Sequence, residues 1–258
     1  MNKFRTLLVA VVALAAPLMG VAQAEPVKVG IDAQPYPPFT VPNSSGEWGG
    51  WEIEIMQAVC KTENLDCEVQ PVAWDGIIPA LDSGKIDMIF SSMSRTAERE
   101  KVVAFSDRYW KAPIMLVGPK GSDMKPTAEG LSDKLFGVQT STPLEIYAKK
   151  YFTGATLKYY PSLDAILQDL VAGRIDATMA GAPQISAFLK TDEGAACCEN
   201  IGTVNDDPEI FGVGVSAAFR KQDSELKSKI NDGIQKIRSN GTYEEISKKY
   251  FDFDPYGD

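Results

Sequence analysis

The stretch SSMSRTAERE (91–100) carries Ser91, Ser92, Ser94 and Arg99, and it closes a strongly apolar run, Ile86-Asp87-Met88-Ile89-Phe90. Three hydroxyls and a guanidinium suit the holding of an anion, because the guanidinium forks onto a carboxylate while the hydroxyls add donors. They are poorly suited to moving protons, and the chain contains no histidine, so neither a Ser-His nor a Cys-His pair can be assembled. Thr96 is placed to cap a helix over residues 97–103, which puts Arg99 in its first turn. Positive charge is misplaced there, since helix starts favour negative groups. Either an anion sits in front of Arg99, with nearby amides helping, or Arg99 pairs on the surface with Glu98 or Glu100. The residues alone leave both open.

An internal echo shows what positions these groups. WDGIIPALDSGKIDMIFSS (74–92) and LDAILQDLVAGRIDATMAG (163–181) align Asp75 with Asp164, Leu81 with Leu170, and Gly84-Lys85-Ile86-Asp87 with Gly173-Arg174-Ile175-Asp176. Each copy reads as an amphipathic helix, a glycine that ends it and an apolar strand. Before each copy lies another strand–loop–helix unit, opening at Val27-Lys28-Val29-Gly30-Ile31 and at Phe136-Gly137-Val138-Gln139. The chain is therefore expected to form two similar α/β lobes, each on a largely parallel sheet. Ligands of open α/β sheets gather beyond the carboxyl ends of the strands. Ser91 and Ser92 lie there in the first lobe, and Ala180 and Gly181 in the second.

Residues 1–24 combine Lys3 and Arg5, an apolar stretch from Leu7 to Ala22, and Ala22-Gln23-Ala24 before Glu25. This reads as a cleaved secretory signal peptide; an uncleaved anchor is the alternative. No later segment reaches the length of a membrane span, so a soluble product outside the cytoplasm is expected rather than a receptor domain. The net charge of −9 becomes more negative once Lys3 and Arg5 are removed, which disfavours nucleic acid and anionic membrane as partners. In an oxidising compartment Cys60 and Cys67 are expected to close a small loop. Cys197-Cys198 leaves three states open: a vicinal bridge, pairing between chains, or reduced thiols. Two thiols without histidine cannot fill a zinc site, and no metal or other cofactor is expected.

Six further segments make the chain familiar: YPPF (36–39), WDGIIPAL (74–81), SSMSRTAEREKVVAFSDRYW (91–110), FGVQTST (136–142), AGRIDA (172–177) and NGTYEEISKKYFDFDPYGD (240–258). Together they resemble the periplasmic solute-binding proteins of polar amino-acid ABC transporters, the histidine and lysine-arginine-ornithine binding group and its opine-binding relatives. The resemblance implies a two-lobed, type II periplasmic binding protein fold with a two-strand hinge. It places one lobe at 25–110 plus 215–258 and the other at 111–214. It also implies a periplasmic monomer that binds an amino acid or derivative between the lobes and delivers it to permease subunits.

Carried over by position, the family's carboxylate-gripping arginine falls on Arg99, its polar wall on Ser91, Ser92 and Ser94, and its aromatic near the first strand on Tyr36. The residue that packs on the ligand falls on Trp74, for which core packing is the other role. The second-lobe loop is Ser141-Thr142-Pro143, where Pro143 lacks an N–H donor. Two departures concern the ligand. Relatives often hold the α-ammonium with an aspartate where this chain has Gly181, and the acid that often reads a basic side chain is Ala33, with Asp32 one place away. Gly181 leaves room where the ammonium would sit, which points to a carboxylate whose α-nitrogen is substituted, as in opines, or absent. A simple polar amino acid met by Asp32 is the rival. Exported dehydratases have arisen on this fold, but hydroxyls, an arginine and aromatics fit holding, so a binding protein and not an enzyme is expected.

Overall fold

The computed structural model describes residues 25–257, so the expected signal peptide lies outside the described residues. Twelve strands run in chain order: β1 (Val27–Asp32), β2 (Val41–Pro42), β3 (Trp48–Gly49), β4 (Cys67–Val72), β5 (Met88–Ile89), β6 (Ala104–Trp110), β7 (Ile114–Pro119), β8 (Leu135–Gln139), β9 (Thr156–Tyr160), β10 (Ala177–Gly181), β11 (Cys198–Thr203) and β12 (Val215–Phe219). They form two five-stranded sheets, ordered β4-β1-β5-β12-β6 and β11-β7-β10-β8-β9, and a small hairpin of β2 and β3. Among the described residues no helix is long and apolar enough to cross a membrane.

The sheets are mixed, which corrects the expectation of largely parallel ones. β1 lies parallel to β4 and β5, but β12 runs antiparallel to β5 and β6. Likewise β8 is parallel to β9 and β10, whereas β7 is antiparallel to β10 and β11. The cause is connectivity. A parallel neighbour needs a covering crossover such as the helices Trp51–Thr62 or Pro143–Tyr151. Strands β6 and β7 flank the passage at 111–113, and β11 and β12 the passage at 204–214, so each pair is joined from one sheet to the other rather than by a crossover within one sheet.

The sequence echo is repeated in atoms. The helices Ile77–Asp82 and Leu163–Val171 are both followed by a glycine at positive φ, Gly84 at 73° and Gly173 at 67°, a conformation that disfavours any β-carbon. The next aspartate then ties the following strand to its parallel neighbour in the same sheet. Asp87 accepts from the Lys28 amide at 3.0 Å, and Asp176 accepts from the Leu135 amide at 2.7 Å.

Each sheet buries both faces against helices. In the first lobe Val29, Ile31, Trp51, Phe90, Tyr109 and Phe219 pack with Ile230 and Ile234 of the helix Ser224–Ser239. Phe136, Tyr147 and Phe152 anchor the second. Cys60 and Cys67 are joined as expected, tying the helix Trp51–Thr62 to β4. Closing so short a loop contributes about 2.5 kcal/mol on the chain-entropy account. Of the three states open to Cys197 and Cys198, the structure has the vicinal bridge.

Candidate functional site

A cavity of 630 Å³ lies between the two sheets. Every site residue expected from the sequence lines it except Ser141. Thr96 caps the following helix, its hydroxyl accepting from the Arg99 amide at 3.3 Å. That helix is a single turn, Ala97–Glu100, shorter than the expected 97–103, because the chain must turn at Lys101 and Val102 to enter β6. Neither acidic neighbour pairs with Arg99. Glu100 bonds Arg95 at 2.6 Å and Glu98 bonds Lys101 at 2.5 Å, so the surface-pair alternative does not hold. The Arg99 guanidinium instead donates to the carbonyls of Ser94, at 3.0 Å, and Ser141, at 3.1 Å. Burial lowers its pKa to about 10, which leaves it cationic at neutral pH.

Trp74 takes both roles expected of it, packing partly buried against the first-lobe cluster of Ile77, Leu81 and Phe105 while facing the cleft. Its half-buried ring lines the cavity with the Arg99 Cζ 5.4 Å from the ring centroid, and its Nε1 donates to the Ser141 carbonyl at 3.3 Å. Ser141 itself lies outside the cavity lining. It is exposed at a φ of 60°, its amide bonds Glu145, and only its carbonyl meets the first lobe. These two bonds, with one from Thr140 to Asp75 at 3.3 Å, hold the lobes together across the cleft. The Thr142 hydroxyl is engaged locally, donating to the Gln139 carbonyl at 2.7 Å and accepting from the Glu145 amide to cap Pro143–Tyr151.

Behind the serine wall stands an acid that the sequence reading passed over. Glu52 is fully buried, and its Oε1 accepts from the Ser92 amide at 2.7 Å, the Ser92 hydroxyl at 3.0 Å and the Tyr109 hydroxyl at 2.5 Å. Ser92 has a φ of 47°, uncommon for a residue with a side chain, and these two bonds from Glu52 hold it there. The signal was available: Glu52 shares a helix face with Ile55, Met56 and Val59, all buried. Burial raises its pKa to about 7, against the opposing hydrogen bonds from Tyr109 and Ser92. Because the folded value lies above the unfolded one, this group stabilises the fold as pH falls through about 7 toward 4.5. Glu52→Gln is expected to flatten the rise in melting temperature as pH falls from 7 to 5; calorimetry giving the parent's pH profile would contradict this.

Asp32, at the end of β1, lines the same cavity and is 7% exposed. Burial, with the charge of Asp75 adding to it, raises its pKa to about 6. Its Oδ1 accepts from the Gln34 amide at 3.1 Å, and its own amide donates to the Ser91 hydroxyl at 2.8 Å. No cation pairs with it among the described residues. Tyr36 stays a neutral phenol, its pKa pushed well up by burial and then by Glu52 and Asp32. On the second wall the space expected at Gly181 is taken. A β-carbon there would run into the Gln184 Oε1 and come within 3.6 Å of Trp110 Cη2.

Two lobes joined by two passages around a polar cleft define a type II binding-protein fold. Residues 27–253 match the bacterial extracellular solute-binding proteins, family 3, and the chain belongs to that family. It is 38% identical to an L-arginine-binding protein of Pseudomonas aeruginosa, over 92% of either chain. It is equally identical to the histidine-binding periplasmic protein of Escherichia coli K12, covering 90% of this chain and 89% of that one. Among solved structures, an ancestral arginine-binding protein bound to arginine superposes with a TM-score of 0.78 at 33% identity, covering 87% of this chain and 97% of that one. These relatives are binding proteins, and the chain is a binding protein rather than an enzyme.

Proposed function

We propose that this protein is the periplasmic solute-binding component of an ABC importer, capturing an amino acid or amino-acid derivative through its carboxylate and delivering it to a membrane permease. The observation that carries the reading is Arg99, a cationic guanidinium lining the cleft that no carboxylate pairs among the described residues. A ligand carboxylate would complete its fork, with the hydroxyls of Ser91 and Ser94 as further donors. Asp32 supplies the opposite charge, so the cleft suits a solute with a carboxylate and a cationic side chain, and the names of the relatives agree. Trp74 covers that solute. The lobe division at 25–110 with 215–258 against 111–214 is retained, with the protein acting as a monomer whose lobes close on the ligand.

A second reading rests on Gly181. Without an acid there, a solute with a substituted α-nitrogen, as in opines, or with none, loses nothing relative to a free amine. Thermal shift decides both points with arginine, lysine, ornithine and histidine, their carboxamides, and their N-substituted and amine-free counterparts. Free carboxylates are expected to raise the melting temperature and carboxamides to leave it unchanged. Equal shifts from the two would remove Arg99 as the anchor. Larger shifts from N-substituted forms favour the second reading, and their failure beside a responsive parent rejects it.

A further inference from the structure

Cys197 and Cys198 are neighbours in the chain and are bonded to each other. A disulfide stabilises a fold chiefly by closing a loop of the unfolded chain, and more as that loop lengthens. The Cys60–Cys67 bond does so, tying a helix to β4. A bond between adjacent residues closes only its own ring and joins nothing that the peptide bond does not already join. The relation is reciprocal, because a disulfide that stabilises the fold is made harder to reduce by the fold, to the same extent. Folding therefore protects Cys60–Cys67 and gives Cys197–Cys198 no such protection.

The junction around the second bond is held by other means. Cys197 ends the helix Asp192–Cys197 and Cys198 opens β11, an edge strand of the second sheet. β11 pairs with β7 from Cys198, opposite Pro119, to Thr203. Next to Pro119, the Lys120 amide donates to the Cys197 carbonyl at 3.0 Å, and the Lys120 ammonium donates to the Ala195 carbonyl. None of these contacts needs the sulfurs joined. Cys198 is 3% exposed, whereas Cys197 is only partly buried, so an incoming thiolate meets the Cys197 sulfur first. The positive charge of Lys120 favours a thiolate at this junction.

We propose that Cys197–Cys198 is a reversible thiol-exchange site, opened by a dithiol while the protein stays folded and Cys60–Cys67 stays closed. One thiolate of the dithiol attacks the Cys197 sulfur, the bond between the two cysteines breaks, and Cys198 leaves as a thiolate that takes up a proton. The second thiolate of the dithiol then attacks its own partner sulfur in the mixed disulfide and releases Cys197, which is protonated in turn. Two electrons pass to the protein, and the dithiol ends as a disulfide. β11 runs on to Thr203 of the cleft lining, which puts this site on an element that also forms the cleft. The assignment does not depend on the solute.

The test equilibrates the mature oxidised protein with graded ratios of reduced to oxidised dithiothreitol, alkylates it with iodoacetamide and reads each cysteine by peptide mass. Cys197 and Cys198 are expected to be half-reduced at a ratio at least tenfold lower than Cys60 and Cys67. At that point near-ultraviolet circular dichroism should be unchanged and the melting temperature within about 3 °C of the oxidised protein. Removing the reductant under air should close the bond again. Both pairs opening together, Cys60–Cys67 opening first, or Cys197 and Cys198 reacting only as the dichroism is lost would overturn the assignment. Alkylation of Cys197 and Cys198 before any reductant is added would overturn it as well.

Discussion

Arg99→Ala is expected to weaken binding of a carboxylate-bearing solute by about 2–5 kcal/mol, because truncation strands a desolvated carboxylate without its partner. Among the described residues the side chain makes no ion pair. It bonds the carbonyls of Ser94 and Ser141 and lies over the Trp74 ring, so the fold should keep its melting temperature to within a few degrees. Arg99→Lys should recover only part of the loss, since an ammonium cannot fork onto both carboxylate oxygens. Titration calorimetry with the solute giving the largest thermal shift reads the effect. Unchanged affinity in Arg99→Ala would mean that the carboxylate is held elsewhere.

Asp32→Asn should cost a comparable 2–5 kcal/mol, but only for solutes with a cationic side chain, since the asparagine keeps the shape and loses the charge. The pH dependence separates this from a packing effect. Burial raises the Asp32 pKa to about 6. A bound cation favours the charged form, so below about pH 6 binding must release a proton. Affinity for a cationic solute is therefore expected to fall between pH 7 and 5, by up to about tenfold per unit. The asparagine variant should lose that slope, and solutes with neutral side chains should show little of it in either protein. A parent affinity that stays flat from pH 7 to 5 would exclude Asp32 from contact with the cation.

Much of the first wall was legible because its signals are local. A threonine three residues before an arginine, at the end of an apolar strand, specifies the cap and the place of Arg99 by spacing alone. What spacing could not say was whether Glu98 or Glu100 would reach that arginine. That outcome depends on side-chain directions over one turn and on Arg95 and Lys101 claiming both acids. Ser141 was placed by its position in a loop, whereas its backbone, at a φ of 60°, presents the carbonyl to Arg99.

By itself the sequence determined the two-lobe plan, through the echo of helix, glycine and strand, and the electrostatic character of the site, through Arg99 and the absence of histidine. These follow from periodicity, helix termini and residue chemistry, all of which act over a few residues. Only the tertiary structure decided the mixed direction of the sheets, the buried brace of Glu52 behind Ser92 from 40 residues away, and the passage of Asp32 rather than Ala33 into the cleft. It also decided that the gap at Gly181 is filled by Gln184. Those outcomes depend on which groups meet after the chain has crossed between lobes, where a buried acid or amide is tolerated only if something opposite completes it.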